Sequence, residues 1–162
     1  MRRRTPVGSR LAVCVSVAVL GVAGCDSADD DPYAVPERFE AYCEEVEAHQ
    51  VQISDALAEG GRASGLIQAL PSFEALAAKA PDDIADEWEV VVARIQDLVD
   101  ALDAAGVDPD DYDRRRPPAG LDTDQKAAID AAATALVSAT TARAMSGVQQ
   151  QARDVCKTRL AL

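Results

Sequence analysis

Histidine occurs once in these 162 residues, and Trp, Tyr and Phe together make up only 4% of them. The first scarcity removes chemistries that need imidazole in numbers. A di-iron bundle carries Glu-x-x-His on two of its helices, but the residue three before His49 is Val46 and no second histidine exists. A triad built on helix faces would need a nucleophile turn such as Gly-x-Ser-x-Gly, and none occurs. His49, one turn after Glu45, reads instead as a partly buried residue on the rim of a helix face. The second scarcity argues against a sheet, because strands draw on β-branched and aromatic side chains. Apolar residues are 48% of the chain, Ala prominent among them, which favours closely packed helices around a thin core. Also lacking is an apolar run of the roughly 20 residues that a membrane-spanning helix needs; residues 11–22 (LAVCVSVAVLGV) stop short of it.

Positive charge is scarce too, and unevenly placed. Of the 16 Lys and Arg, four (Arg2, Arg3, Arg4 and Arg10) precede Cys25, where there is no Asp or Glu; beyond it 12 basic residues face 28 acidic ones, a net charge of −16. A surface of that sign repels nucleic acid and anionic lipid, so no nucleic-acid partner is expected.

What is present begins with an address. The early arginines form a positive n-region, residues 11–22 an apolar h-region, and small residues follow, the three parts of an export signal. Val22-Ala23-Gly24-Cys25 resembles the lipobox of bacterial lipoproteins at all four positions. That resemblance implies that Cys25 receives a diacylglyceryl thioether and that signal peptidase cuts before it, removing residues 1–24. The alternative is an ordinary secretory signal in which Cys25 is incidental, but no Ala-x-Ala-like site follows before the acidic run that starts at Asp26. Two acyl chains give stable attachment where one is marginal, so the expected location is the outer face of the plasma membrane, with the membrane itself as first partner. Residues 25–35 then read as the lipidated Cys and an acidic, Pro-containing flexible tether, and residues 36–162 as one domain.

The cysteines follow from that address. Cys14 leaves with the signal and Cys25 carries lipid, so Cys43 and Cys156 remain as a pair in an oxidising compartment, where a disulfide is expected; the alternative is two buried free thiols. A loop of about 100 residues closed this way contributes about 4.7 kcal/mol in the chain-entropy model.

Four helices are expected after the tether. The first runs from Pro36 to about residue 59, carrying Phe39, Tyr42, Cys43, Val46, Ile53 and Leu57 to a Gly60-Gly61 stop. The second opens near Ser64 as N-cap and must kink or restart at Pro71. The third has the clearest stripe: Ile84, Trp88, Val91, Ile95, Leu98 and Leu102, ending at Gly106. The fourth starts at Asp122-x-x-Gln125, resembling a capping box, and runs to about residue 159 on a weak stripe of Ile129, Ala133, Leu136, Thr140, Ala144, Val148 and Val155. An up-down-up-down four-helix bundle brings the start of the first helix beside the end of the fourth, as a Cys43–Cys156 bond requires.

Between the third and fourth helices lies a charged loop. Asp108, Asp110, Asp111 and Asp113 tempt a calcium reading, but an EF-hand wants Gly sixth and Glu twelfth, where this loop has Asp113 and Ala119. Arg114, Arg115 and Arg116 follow, so the loop can touch an envelope protein or wall polymer, or else pair with itself. Trp88 and Phe73 read as core anchors. No cofactor or metal is expected.

Over most of the body, Pro81-Asp82-Asp83-Ile84-Ala85-Asp86-Glu87-Trp88 and the two cysteines resemble a diffuse group of small, acidic, Ala-rich exported helical proteins of actinobacteria. That resemblance implies the fold and carries over no functional residue. The expected role is a non-catalytic binding or scaffolding module of the cell envelope. A ligand- or cation-binding lipoprotein serving a transporter is the second reading, and an envelope hydrolase the third.

Overall fold

Helix breakers and caps divide this chain more finely than its apolar stripes do. The computed structural model describes residues 34–113 and 116–162, and of residues 61–63 the backbone only. Among the described residues all regular structure is helical: α1 (Glu40–Glu59), α2 (Gly61–Lys79), α3 (Ala85–Ala105), α4 (Thr123–Leu136) and α5 (Ala139–Asp154), with single 3-10 turns at Glu37–Phe39 and Pro109–Asp111. No described helix is long and apolar enough to cross a membrane.

The α1–α2 corner is tighter than a Gly-Gly stop with a later cap would make it. One residue, Gly60, separates the helices, and Ser64 lies inside α2 rather than capping it. The corner needs glycine at residue 65 for space: a Cβ there would lie 2.7 Å from the Ala56 carbonyl oxygen and 2.8 Å from Leu57 Cα, both backbone atoms that cannot step aside. Downstream, α2 runs through Pro71 in one piece, neither ended nor restarted there. Pro71 is exposed and forfeits one helical bond, to the Ile67 carbonyl. The buried face of Leu66, Ala69, Leu70, Phe73 and Leu76 outweighs that loss.

Helix α3 is the spine, packed against α2, α4 and α5. Trp88, Val91, Ile95, Leu98 and Leu102 recur at spacings of three and four and are all buried. Asp86 and Glu87 sit in its first turn, where the helix dipole favours them. It ends in a Schellman motif: Gly106 adopts a left-handed conformation (φ 66°), its N–H donates to Asp103, and the Val107 N–H reaches back to the Leu102 carbonyl at 3.0 Å.

The expected fourth helix is two. Its start is the capping box read from the sequence: the Asp122 carboxylate accepts from the Gln125 N–H (2.8 Å), and the Gln125 side chain accepts from the Asp122 N–H (3.0 Å). The helix then stops at Leu136 because side chains take over the backbone's partners. Thr141 Oγ1 donates to the Ala135 carbonyl (2.8 Å), and Ser138 Oγ caps α5 by accepting from the Thr141 N–H (3.3 Å). A continuous helix would have bonded that carbonyl to the residue-139 N–H instead.

Candidate functional site

Trp88 organises one region of the interior. Its Nε1–H donates to Tyr42 Oη at 3.0 Å, tying α3 to α1, and the Phe73 ring of α2 lies 6.0 Å from it, centroid to centroid. All three side chains are buried. Burial pushes the Tyr42 phenol up to about 12, against the opposing effect of the Trp88 hydrogen bond and aided by the nearby charge of Asp83. Beside this layer Cys43 and Cys156 are joined as the expected disulfide, with Cα atoms 5.0 Å apart. Cys156 leads into Lys157, which takes a left-handed conformation (φ 58°) that turns the chain back over α5. The three aromatic side chains and the disulfide are buried and hold α1, α2, α3 and the segment after α5 together.

The described part of the charged loop holds a capped turn. Asp108 caps the 3-10 turn by accepting from the Asp110 N–H (2.9 Å), and Asp110 and Asp111 are exposed. Asp113 pairs with Arg116 at 3.4 Å. Arg114 and Arg115, and with them Val22, Ala23, Gly24 and Cys25, lie outside the described residues. Among the described residues no three His, Cys, Asp or Glu side chains converge as a metal ion would need. His49 Nε2 lies 3.0 Å from Glu45 Oε1, a local pair on α1, while its buried Nδ1 has no hydrogen-bond partner among the described residues.

The concave feature is elsewhere, and the sequence reading missed it. A cavity of about 410 Å³ opens between the α1–α2 corner, α3 and the α4–α5 junction. Leu57, Leu66, Leu98, Leu136, Ala133 and Met145 line it, with exposed Val137, Ala142 and Ser146 at its open side; no charged side chain is among the lining residues. Its size falls within the range of small-ligand sites, roughly 300–1,000 Å³. Gln149 lines it too and also lines a second hollow of about 240 Å³, formed with Arg153, Arg159 and Leu160. Between the two, Gln149 Nε2 donates to the Leu162 carbonyl at 2.8 Å.

A signal for the cavity existed in the weakness of the last stripe. Ala133 and Ala142 line the cavity together with four leucines, and their short side chains take up little of its space. Where that space lies depends on the break at residues 137–138, which the stripe does not announce. The arrangement can hold an apolar group out of water. No family model, no curated protein and no solved structure matches this chain.

Proposed function

We propose that this chain is a lipoprotein held by a diacylglyceryl group on Cys25 at the outer face of the plasma membrane, where it serves as a non-catalytic binding module. The observation that carries the binding half is the open apolar cavity, which favours a small-molecule ligand over a purely scaffolding role. A cavity lined without titratable side chains speaks against a hydrolase. The anchoring half is supported by the lipobox-like Val22-Ala23-Gly24-Cys25 and the charge pattern before it. The second reading, a ligand-binding lipoprotein serving a transporter, draws on the same cavity; its cation-binding form lacks a converging ligand set among the described residues.

We further infer an up-down-up-down arrangement for α1, α2, α3 and α5, with α4 as an added segment. Its support lies in shared neighbours. Tyr42 meets Trp88 while Leu57, later on α1, shares a cavity wall with Leu98, so α1 and α3 run alike. Leu66 belongs with Leu98 and the later Phe73 with Trp88, so α2 returns. On α5, Ala142 lies near Leu98, whereas a Cβ on Gly147 would touch Glu87 and Ile84, so α5 returns as well.

Anchoring is tested by intact mass and fractionation. The native protein should begin at Cys25, carry two or three acyl chains and sediment with membranes, and Cys25→Ser should abolish both the acylation and the cut before residue 25. An unacylated wild-type protein would end this reading.

A further inference from the structure

The two hollows are not independent, and their contents are complementary. On α5 Ala142, the adjacent pair Met145 and Ser146, Gln149 and Arg153 recur at steps of three or four, so they form a single stripe along one helix face. The stripe changes character along its length: Ala142 and Met145 line the apolar cavity, Gln149 lines both hollows, and Arg153 lines the second with Arg159. From Ala142 to Arg153 the helix rises roughly 16 Å. The returning segment, residues 158–162, walls both hollows, with Leu162 on the apolar one and Leu160 on the cationic one. Two arginines bordering a small hollow are unusual in a chain whose part beyond Cys25 carries a net charge of −16.

We propose that the two hollows form one site for a single-chain anionic amphiphile, its alkyl chain in the Leu-lined cavity and its carboxylate or phosphate between Arg153 and Arg159. The proposal rests on the binding reading above and names its ligand class. An uncharged apolar molecule would use the cavity and leave the arginines idle; a cationic one would meet them head on. The acidic surface repels an extended anionic membrane, but the local pair of guanidiniums selects an individual molecule, since guanidinium matches carboxylate and phosphate with two parallel hydrogen bonds. Arg153 already lies 3.2 Å from Asp154 at an exposed position, a contact that an incoming headgroup displaces at little cost. Arg159 has no ion pair among the described residues, and the Gln50 side chain steadies its backbone carbonyl at 3.0 Å.

The test uses the full chain carrying Cys25→Ser, so that no attached acyl chain competes for the cavity. Four probes of one chain length are titrated below the concentration at which they aggregate: dodecanoate, dodecyl phosphate, dodecanol and dodecyltrimethylammonium. The two anions should bind about tenfold or more tighter than dodecanol, and the advantage should shrink as salt rises. Replacing both arginines (Arg153→Ala with Arg159→Ala) should abolish that advantage and leave dodecanol binding unchanged; both residues are exposed, so the fold tolerates the change. Ser146→Trp, at the exposed mouth, should weaken all three. Dodecanol binding as tightly as dodecanoate, an unaltered double variant, or tightest binding of the cation would overturn the anionic assignment while leaving the cavity as a binding site. Failure of every probe would overturn both.

Discussion

Ten residues along α3, about 15 Å of helix, separate Trp88 from Leu98, and the two positions are packed in different ways. Around Trp88 the chain spends half of its scarce aromatics: Tyr42, Phe73 and Trp88 fill the layer, share a hydrogen bond and a ring contact, and lie beside the disulfide. Around Leu98 it supplies Leu, Ala and Met, and about 410 Å³ stays open. The lesson is that a shortage of large side chains does not thin a core evenly. Concentrating them in one layer fills the interior there and leaves space open elsewhere.

The sharpest way to break this comparison is to truncate both layers. Trp88→Ala should destabilise by about 3–5 kcal/mol, adding an orphaned Tyr42 hydroxyl to the void, whereas Leu98→Ala, which already borders open space, should fall at the low end of the range of about 2–5 kcal/mol for Leu. Urea denaturation of the two variants measures the difference; equal losses would mean that the layers are packed alike.

Alkali acts on the filled layer alone. Folding raises the Tyr42 pKa from 10.0 to about 12, so the folded state holds its proton where the unfolded chain has released it. This share of stability is fully present below pH 10 and is lost as pH climbs to 12, about 2 to 3 kcal/mol in all. Comparing Tyr42→Phe with wild type by denaturant melts across that window should show the slope disappear in the variant.

A matched pair of enlargements sharpens the contrast further. Ala152 is wholly buried and lines neither hollow, so Ala152→Met should cost about 1–3 kcal/mol through overpacking. Ala133 lines the cavity, and Ala133→Met should add roughly 0.5–1 kcal/mol while reducing dodecanoate binding. Thermal melts and titration read both. The smallest effect is expected at Lys157, whose left-handed backbone favours glycine: Lys157→Gly should stabilise by about 0.5–1 kcal/mol, less the loss of its ammonium contact with the Asp154 carbonyl.

Much of the helical framework was legible in the sequence, because its determinants are local or covalent. The three-and-four spacing from Trp88 to Leu102, the Gly106 stop, the Asp122–Gln125 box and the pairing of Cys43 with Cys156 all stand in the structure as the residues imply. The departures share a different cause. Passage of α2 through Pro71, the close approach at Gly65 and the split of the last helix each depend on what tertiary neighbours or side-chain hydroxyls do to the backbone. Ser138 and Thr141 are ordinary enough inside an Ala-rich helix that their combined action on the Ala135 carbonyl does not show in a pattern of apolar residues. The cavity inherits that difficulty, since its walls come from both sides of the split. Of the loop residues proposed for interaction, Asp108, Asp110 and Asp111 form a capped turn and its exposed flank, and Asp113 pairs with Arg116.

The central claim is that the open region around Leu98 is a place for a ligand and the Trp88 layer is not. Methyl-resolved NMR during a dodecanoate titration tests it directly. Progressive, saturable shifts are expected for Leu57, Leu66, Leu98, Leu136 and Met145, with Val46 and Val91, one helical turn beyond Tyr42 and Trp88, unmoved. Shifts spread over both sets, or confined to Val46 and Val91, would contradict it.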